Sequence, residues 1–239
     1  MNLVVDIGNT LAKVAVVDSS IIIVSHSAEE LHELPIALLV EEYSICRSIL
    51  STTRGCGSDA AEYIRKIVGH CLLLDASVRT PLKVEYSRQR LGCDRLAAAV
   101  GASVAYPDKE LMVVDFGTAI TIDFITKQGV FLGGFISPGV TTRLRSLHDY
   151  TASLPLCDVR EFREGVAQST HEAIIGGVIN GITYEIEGHI RARIAESCNL
   201  FVIFLGGDSI FFDKRIKNAI FADRDILFRG LDTILEYNA

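Results

Sequence analysis

One short pattern occurs twice in this chain and limits what it can fold into. Residues 4–10 read VVDIGNT and residues 113–119 read VVDFGTA, matching at Val, Val, Asp and Gly, 109 positions apart. In each copy an apolar run delivers one acid to its end. A Gly two residues later lets the backbone turn and lets a ligand approach closely. A second strand follows, Lys13–Val17 after the first copy and Thr121–Phe124 after the second. Internal similarity of this kind predicts a duplicated half-fold. One copy alone would be a hairpin turn opened by an Asp. As a pair, the turns can present N–H groups and the hydroxyls of Thr10, Thr118 and Thr121, with Asn9, to phosphate oxygens. Their two acids can then hold Mg–ATP.

Composition excludes several classes. The 239 residues are 49% hydrophobic and 22% charged, enough for a packed core and wrong for disorder. A net charge of −7 leaves no electrostatic footprint for nucleic acid. No apolar run approaches the roughly 20 residues that span a bilayer, and Asp6 with no basic segment before it reads as strand, not signal peptide. The six Cys form no C-x-x-C and the six His have no ligand spacing, so neither zinc nor a disulfide framework is expected. Thiols of this kind suit a reducing, cytoplasmic setting.

Strands are predicted over 3–8, 13–17, 21–26, 45–50, 71–74 and 200–205. Helices are predicted from a cap at Ser27–Glu30 through Leu31 and Leu34, over 58–68, after Asp94, from Thr141, over 166–195, over 210–220 and over 227–237. Strands alternating with helices give an α/β class. Gly129–Val140 reads as two Gly-rich turns. The 166–195 pattern repeats Ile at i, i+4, yet holds Gly176, Gly177 and Gly181. Each costs about 1 kcal/mol against Ala, which points to another backbone packed close, in this chain or a partner's. Pro107 marks the domain boundary, with domains at 1–107 and 108–239.

The second informative stretch is Tyr86–Arg95, YSRQRLGCDR. Asp94 precedes an Ala-rich helix. It reads either as an N-cap, with Arg88 and Arg90 solvated, or as a general base that the helix terminus keeps ionised.

Six motifs now follow in order: DIGNT (6–10), YSRQRLGCDR (86–95), DFGTAIT (115–121), GGFISPG (133–139), TASLP (151–155) and STHEA (169–173). Together they resemble type III pantothenate kinase, the bacterial enzyme of the first step of coenzyme A synthesis. The resemblance implies two ribonuclease-H-like halves of the actin, sugar-kinase and Hsp70 type, with mixed sheets flanked by helices around an ATP cleft. It implies a cytoplasmic homodimer that uses ATP, Mg²⁺ and a monovalent cation, K⁺ or NH₄⁺, to phosphorylate the primary hydroxyl of pantothenate.

Position by position, the resemblance makes Asp6, Ile7, Gly8, Asn9, Thr10, Leu11, Ala12 and Lys13 the ATP phosphate turn. Thr118 joins it on a phosphate. Tyr86, Gly92, Cys93, Asp94, Arg95 and Thr170 would meet pantothenate, with Asp94 as proton acceptor. Asp115 would bind the monovalent cation, and LGGDS (205–209) looks like the adenosine-side turn of the superfamily. Leu11, Lys13, Ile120 and Cys93 depart from the usual pattern without removing a catalytic group. The competing functions are a kinase of another small alcohol and a non-catalytic nucleotide-binding regulator. A pure binder has no use for Asp94.

Overall fold

The computed structural model describes residues 1–196, 199–216, 221–222 and 225–239. The chain divides into two compact units. One is Met1–Lys109 with Ile125–Gly133 and Asp225–Ala239; the other is Glu110–Phe124 with Gly134–Arg224.

In the first unit the apolar opening run becomes β1 (Asn2–Ile7), buried along its whole length. The 8–11 turn leads to β2 (Ala12–Asp18), and β3 (Ile21–Ala28) follows. After α1 (Ile36–Tyr43) come β4 (Ser48–Thr52), α2 (Gly57–Val68), β5 (Leu72–Leu73), β6 (Lys83–Val84) and α3 (Cys93–Ala105). The sheet order is β3-β2-β1-β4-β5. Its hairpin strands are antiparallel and its crossover strands parallel, as a short turn and a helical connection respectively require. Leu3, Val5, Ile7, Val14, Val16, Leu39, Leu50 and Ile64 form the core between sheet and helices.

The helix predicted from Ser27 is corrected. β3 runs on to Ala28, and Leu31–Glu33 makes only a 3-10 turn, in which Glu33 Oε2 accepts the Glu30 N–H at 3.0 Å. Pro35 disfavours helical geometry at Leu34, which is extended, so α1 starts afresh at Ile36.

The second unit repeats the plan. β7 (Glu110–Phe116), β8 (Ala119–Ile125) and β9 (Val130–Pro138) are followed by α4 (Val140–Asp149), α5 (Thr170–Glu196), β10 (Leu200–Leu205) and β11 (Phe221–Ala222). Their order is β9-β8-β7-β10-β11, the same succession as in the first unit, and β6 adds a sixth strand parallel to β9 at the edge. β7 and β11 both lie parallel to β10. The core joins Met112, Val114 and Phe116 to Ile175, Ile179, Ile182 and Ile186 of α5.

Two expectations change here and a third narrows. Gly129–Val140 is mostly one strand, β9, not two turns. Gly134 is required because a Cβ there would lie 1.7 Å from the Ile122 carbonyl oxygen of β8. The helix predicted over 210–220 is a 3-10 turn at Gly207–Phe211, and residues 217–220 lie outside the described residues. Gly176 and Gly177 have no described atom of this chain within 4 Å of a notional Cβ, and Gly181 meets only Arg143 Nη1 at 3.9 Å. No described backbone of this chain therefore explains them.

The chain ends in α6 (Ile226–Tyr237), which belongs to the first unit. It crosses α3 backbone to backbone. A Cβ on Gly101 would lie 2.0 Å from the Ile226 oxygen, and one on Gly230 would lie 1.8 Å from the Ala97 oxygen. At its far end Asn2 Nδ2 donates to Asp232 Oδ1 and Glu236 Oε1, each at 2.7 Å. No described helix is long and apolar enough to cross a membrane.

Candidate active site

In the first unit, β1 carries Asp6 to a buried position opposite Lys13 on β2 and Ser51 on β4. The chain then reverses: the Gly8 N–H donates to the Leu11 oxygen at 3.0 Å. Asn9, Thr10 and Leu11 are exposed at the tip, while Ala12 is buried and Lys13 half-buried. The turn is gripped from outside its own hairpin. Arg54, just beyond β4, donates from Nε to the Gly8 oxygen at 2.9 Å and from Nη2 to the Asn9 oxygen at 3.3 Å. The Thr53 N–H reaches the Ile7 oxygen at 3.1 Å. Arg54 is a residue that sequence reasoning misses. Its importance depends on β4 lying beside β1, which no local pattern announces.

The 86–95 stretch forms a 3-10 turn at Arg88–Arg90 and then α3. Gly92, not Asp94, is the N-cap, so the capping assignment is corrected. Asp94 stands in the first turn, its Oδ1 accepting the Arg95 N–H at 2.8 Å. Gly92 makes that placement possible, because a Cβ there would lie 2.4 Å from Asp94 Oδ1. Arg88 is not solvated either. Its Nη2 donates to the Val78 oxygen at 2.7 Å and reaches the oxygens of Asp75 and Ala76, fixing the preceding loop. Arg95 is buried, with its guanidinium 5.4 Å from the Tyr86 ring centroid and 6.0 Å from that of Phe131. Tyr86 stands edge-on to Phe131, and Gly133 leaves room for its ring. The Cys93 thiol donates to the Leu74 oxygen at 3.0 Å. Burial, then the charges of Asp94, Asp75 and Asp6, push it up, so it stays a neutral thiol and not a nucleophile.

In the second unit, β7 carries Asp115 to a half-exposed position. The turn is drawn against the start of α4. The Thr118 oxygen accepts from the Gly139 N–H at 3.0 Å and from Thr142 Oγ1 at 2.7 Å. Gly139 is obligatory there, since a Cβ would lie 2.0 Å from the Gly117 oxygen. Ile120, one of the departures, points into the core. Gly206, with φ +86°, approaches Asp115 so closely that a Cβ would lie 2.5 Å from its Oδ1 and 2.3 Å from the Phe116 oxygen. Ser209 Oγ donates back to the Gly206 oxygen at 2.8 Å, and burial raises the Asp208 carboxyl. Thr170 is exposed at the start of α5. The predicted residues thus fall in both units: Asp6–Lys13 and Tyr86–Arg95 belong to the first, Asp115–Thr118 and Thr170 to the second.

Comparison with known proteins decides the family. A sequence profile described as type III pantothenate kinase matches residues 2–192. The chain belongs to the type III pantothenate kinase family. A family member from Bacteroides fragilis is 38% identical over all of this chain and 98% of its own length. A solved Campylobacter jejuni structure described as a Baf-family transcriptional activator is 25% identical. It covers 99% of this chain and 98% of that one, with a TM-score of 0.66. A Sinorhizobium meliloti structure described as a 2-dehydro-3-deoxygalactonokinase is 12% identical over 100% and 99% of the two chains, with a TM-score of 0.59. That likeness carries the fold: two α/β halves of the sugar-kinase and actin type.

The oxygens at the end of β7 are of the kind that hold hard cations. The Asp115 carboxylate, with the Phe116 carbonyl near Gly206, offers the hard oxygen donors that K⁺-like cations take. Among the described residues no three His, Cys, Asp or Glu gather as a metal cage.

Proposed function

We propose that the protein transfers the γ-phosphoryl group of ATP to the primary hydroxyl of pantothenate, giving 4′-phosphopantothenate, the first step of coenzyme A synthesis. The family match over the whole chain carries this reading, and the placement of Asp94 supports it. In a loose phosphoryl-transfer transition state there is little covalent work for the protein; positioning and charge neutralisation dominate.

Asp6 to Lys13 and Thr118 are assigned to the ATP phosphates. Tyr86, Gly92, Cys93, Arg95 and Thr170 are assigned to pantothenate. Asp94 holds the hydroxyl in line and takes its proton late, help typically worth about 10²–10⁴ in rate. Mg²⁺ on the phosphates and K⁺ or NH₄⁺ at Asp115 would neutralise the charge that develops on the oxygens.

The protein is assigned as a homodimer. Gly177 is exposed on α5, and so are Phe135 and Ile136 on β9 and Tyr184 on α5. Phe135 stacks on His189 of α5, centroids 4.4 Å apart, so the two elements offer one apolar surface for a second copy.

The test is ADP release from ATP in K⁺ and in Na⁺, with pantothenate, glycerol or a hexose as acceptor. Pantothenate should be turned over fastest, and faster in K⁺. Faster turnover of glycerol or the hexose would overturn the substrate, and equal rates in the two salts would remove the cation from Asp115.

A further inference from the structure

We infer that Arg54 is the positioning residue of the ATP-phosphate turn: it fixes which way the peptide groups of residues 8–10 face. This rests on the reading that Asp6–Lys13 grips phosphate. The guanidinium meets the turn through two donors at once, Nε on the Gly8 oxygen at 2.9 Å and Nη2 on the Asn9 oxygen at 3.3 Å. No peptide bond here is cis. In a planar trans peptide the C=O and N–H point in opposite directions. Pinning the oxygens of Gly8 and Asn9 on Arg54 therefore turns the N–H groups of Asn9 and Thr10 to the other side. Successive N–H groups facing one way are what an anion-binding nest needs. The cation also covers the oxygens that would otherwise repel a phosphate.

Arg54 is itself held. Its Nη1 lies 3.2 Å from both Glu30 carboxylate oxygens, Nη2 also reaches the Glu29 oxygen at 3.3 Å, and its own N–H donates to Thr52 Oγ1 at 3.0 Å. The side chain is only 25% exposed. These contacts join the end of β4, the β1–β2 turn and the segment after β3. Lys cannot reproduce them, since an ammonium is a point donor and Arg is a rigid fork.

The experiment is calorimetric binding of Mg–ATP, Mg–ADP and adenosine to the wild type, Arg54→Gln and Arg54→Lys, with KM for pantothenate and melting temperature measured alongside. Arg54→Gln should weaken ATP and ADP by about tenfold or more, the scale of one charge-assisted hydrogen bond. Adenosine affinity and the pantothenate KM should stay within about twofold, a difference that needs only a few tenths of a kcal/mol. Arg54→Lys keeps the charge and the stem, so it reports even if Arg54→Gln fails to fold; it should recover only part of the loss. Three results overturn the inference: unchanged ATP affinity in both variants, an equal loss for adenosine, or complete recovery by Lys. A wild-type protein that binds no ATP would instead overturn the functional reading beneath it.

Discussion

Asp94 stands one residue inside α3, with Gly92 taking the cap position ahead of it. The helix therefore does not depend on Asp94 for its N-cap, and Asp94→Asn should cost little stability, because Asn Oδ1 can still accept the Arg95 N–H. Turnover of pantothenate should fall by about 10²-fold or more, since the amide cannot take a proton. Melting temperature and ATP affinity should stay near wild type. A folded, ATP-binding variant that keeps more than about a third of wild-type turnover, a loss of under 1 kcal/mol, would end the catalytic assignment. A second residue prediction concerns Asp232 on α6. Burial raises its carboxyl above the usual range, and the Asn2 amide only partly opposes this. A raised folded pKa favours the fold at low pH, and that advantage is lost as pH rises from the unfolded value of about 3.9 through the folded one. Asp232→Asn should therefore raise the melting temperature at pH 7 by about 2–4 °C and change it little at pH 3. Equal shifts at both pH values would contradict this. At this scale the sequence was readable where a residue's placement is local, as for Asp94 in the first turn of a helix. It was silent on Arg54 and Gly139, whose roles come from neighbours distant in the chain.

Elements were legible where their signal is periodic. The apolar runs before Asp6 and Asp115 became β1 and β7, and the Ile series became α5. Reading failed at Ser27–Glu30, where polar residues at the end of an edge strand imitate a helix cap. It failed again at Gly133 and Gly134, where glycines that admit a neighbouring strand imitate turns. The close crossing at Gly101 went unread, because its partner Gly230 arrives with α6 from the far end of the chain. That crossing gives a prediction. Gly230→Ala places a Cβ 1.8 Å from the Ala97 oxygen, and backbone cannot step aside as a side chain can. The variant should lose about 3 kcal/mol or fail to fold. A chemical denaturation midpoint equal to wild type would refute the close crossing.

At the scale of the molecule, the twofold VVD-x-G pattern reappears as one strand order used in both units. The duplication was legible because in each copy a buried strand carries the same Asp near its end, followed two residues later by Gly. The association of Ile125–Gly133 and Asp225–Ala239 with the first unit was not, because it depends on packing alone. Gly177 carries the assembly prediction. A Cβ there meets no described atom within 4 Å outside its own stretch of helix, so Gly177→Leu should fold normally and run as a monomer by light scattering, while the wild type runs as a dimer. A wild-type protein that is monomeric at micromolar concentration would refute the assembly.

The central claim is chemical, and the product tests it most directly. ATP and pantothenate incubated with the protein should give a single new phosphomonoester, and phosphorus–proton correlation in the NMR spectrum should place it on the methylene of the primary hydroxyl, with one ADP formed per ester. ATP consumed while pantothenate stays unmodified, or phosphorus found at any other position, would contradict the account.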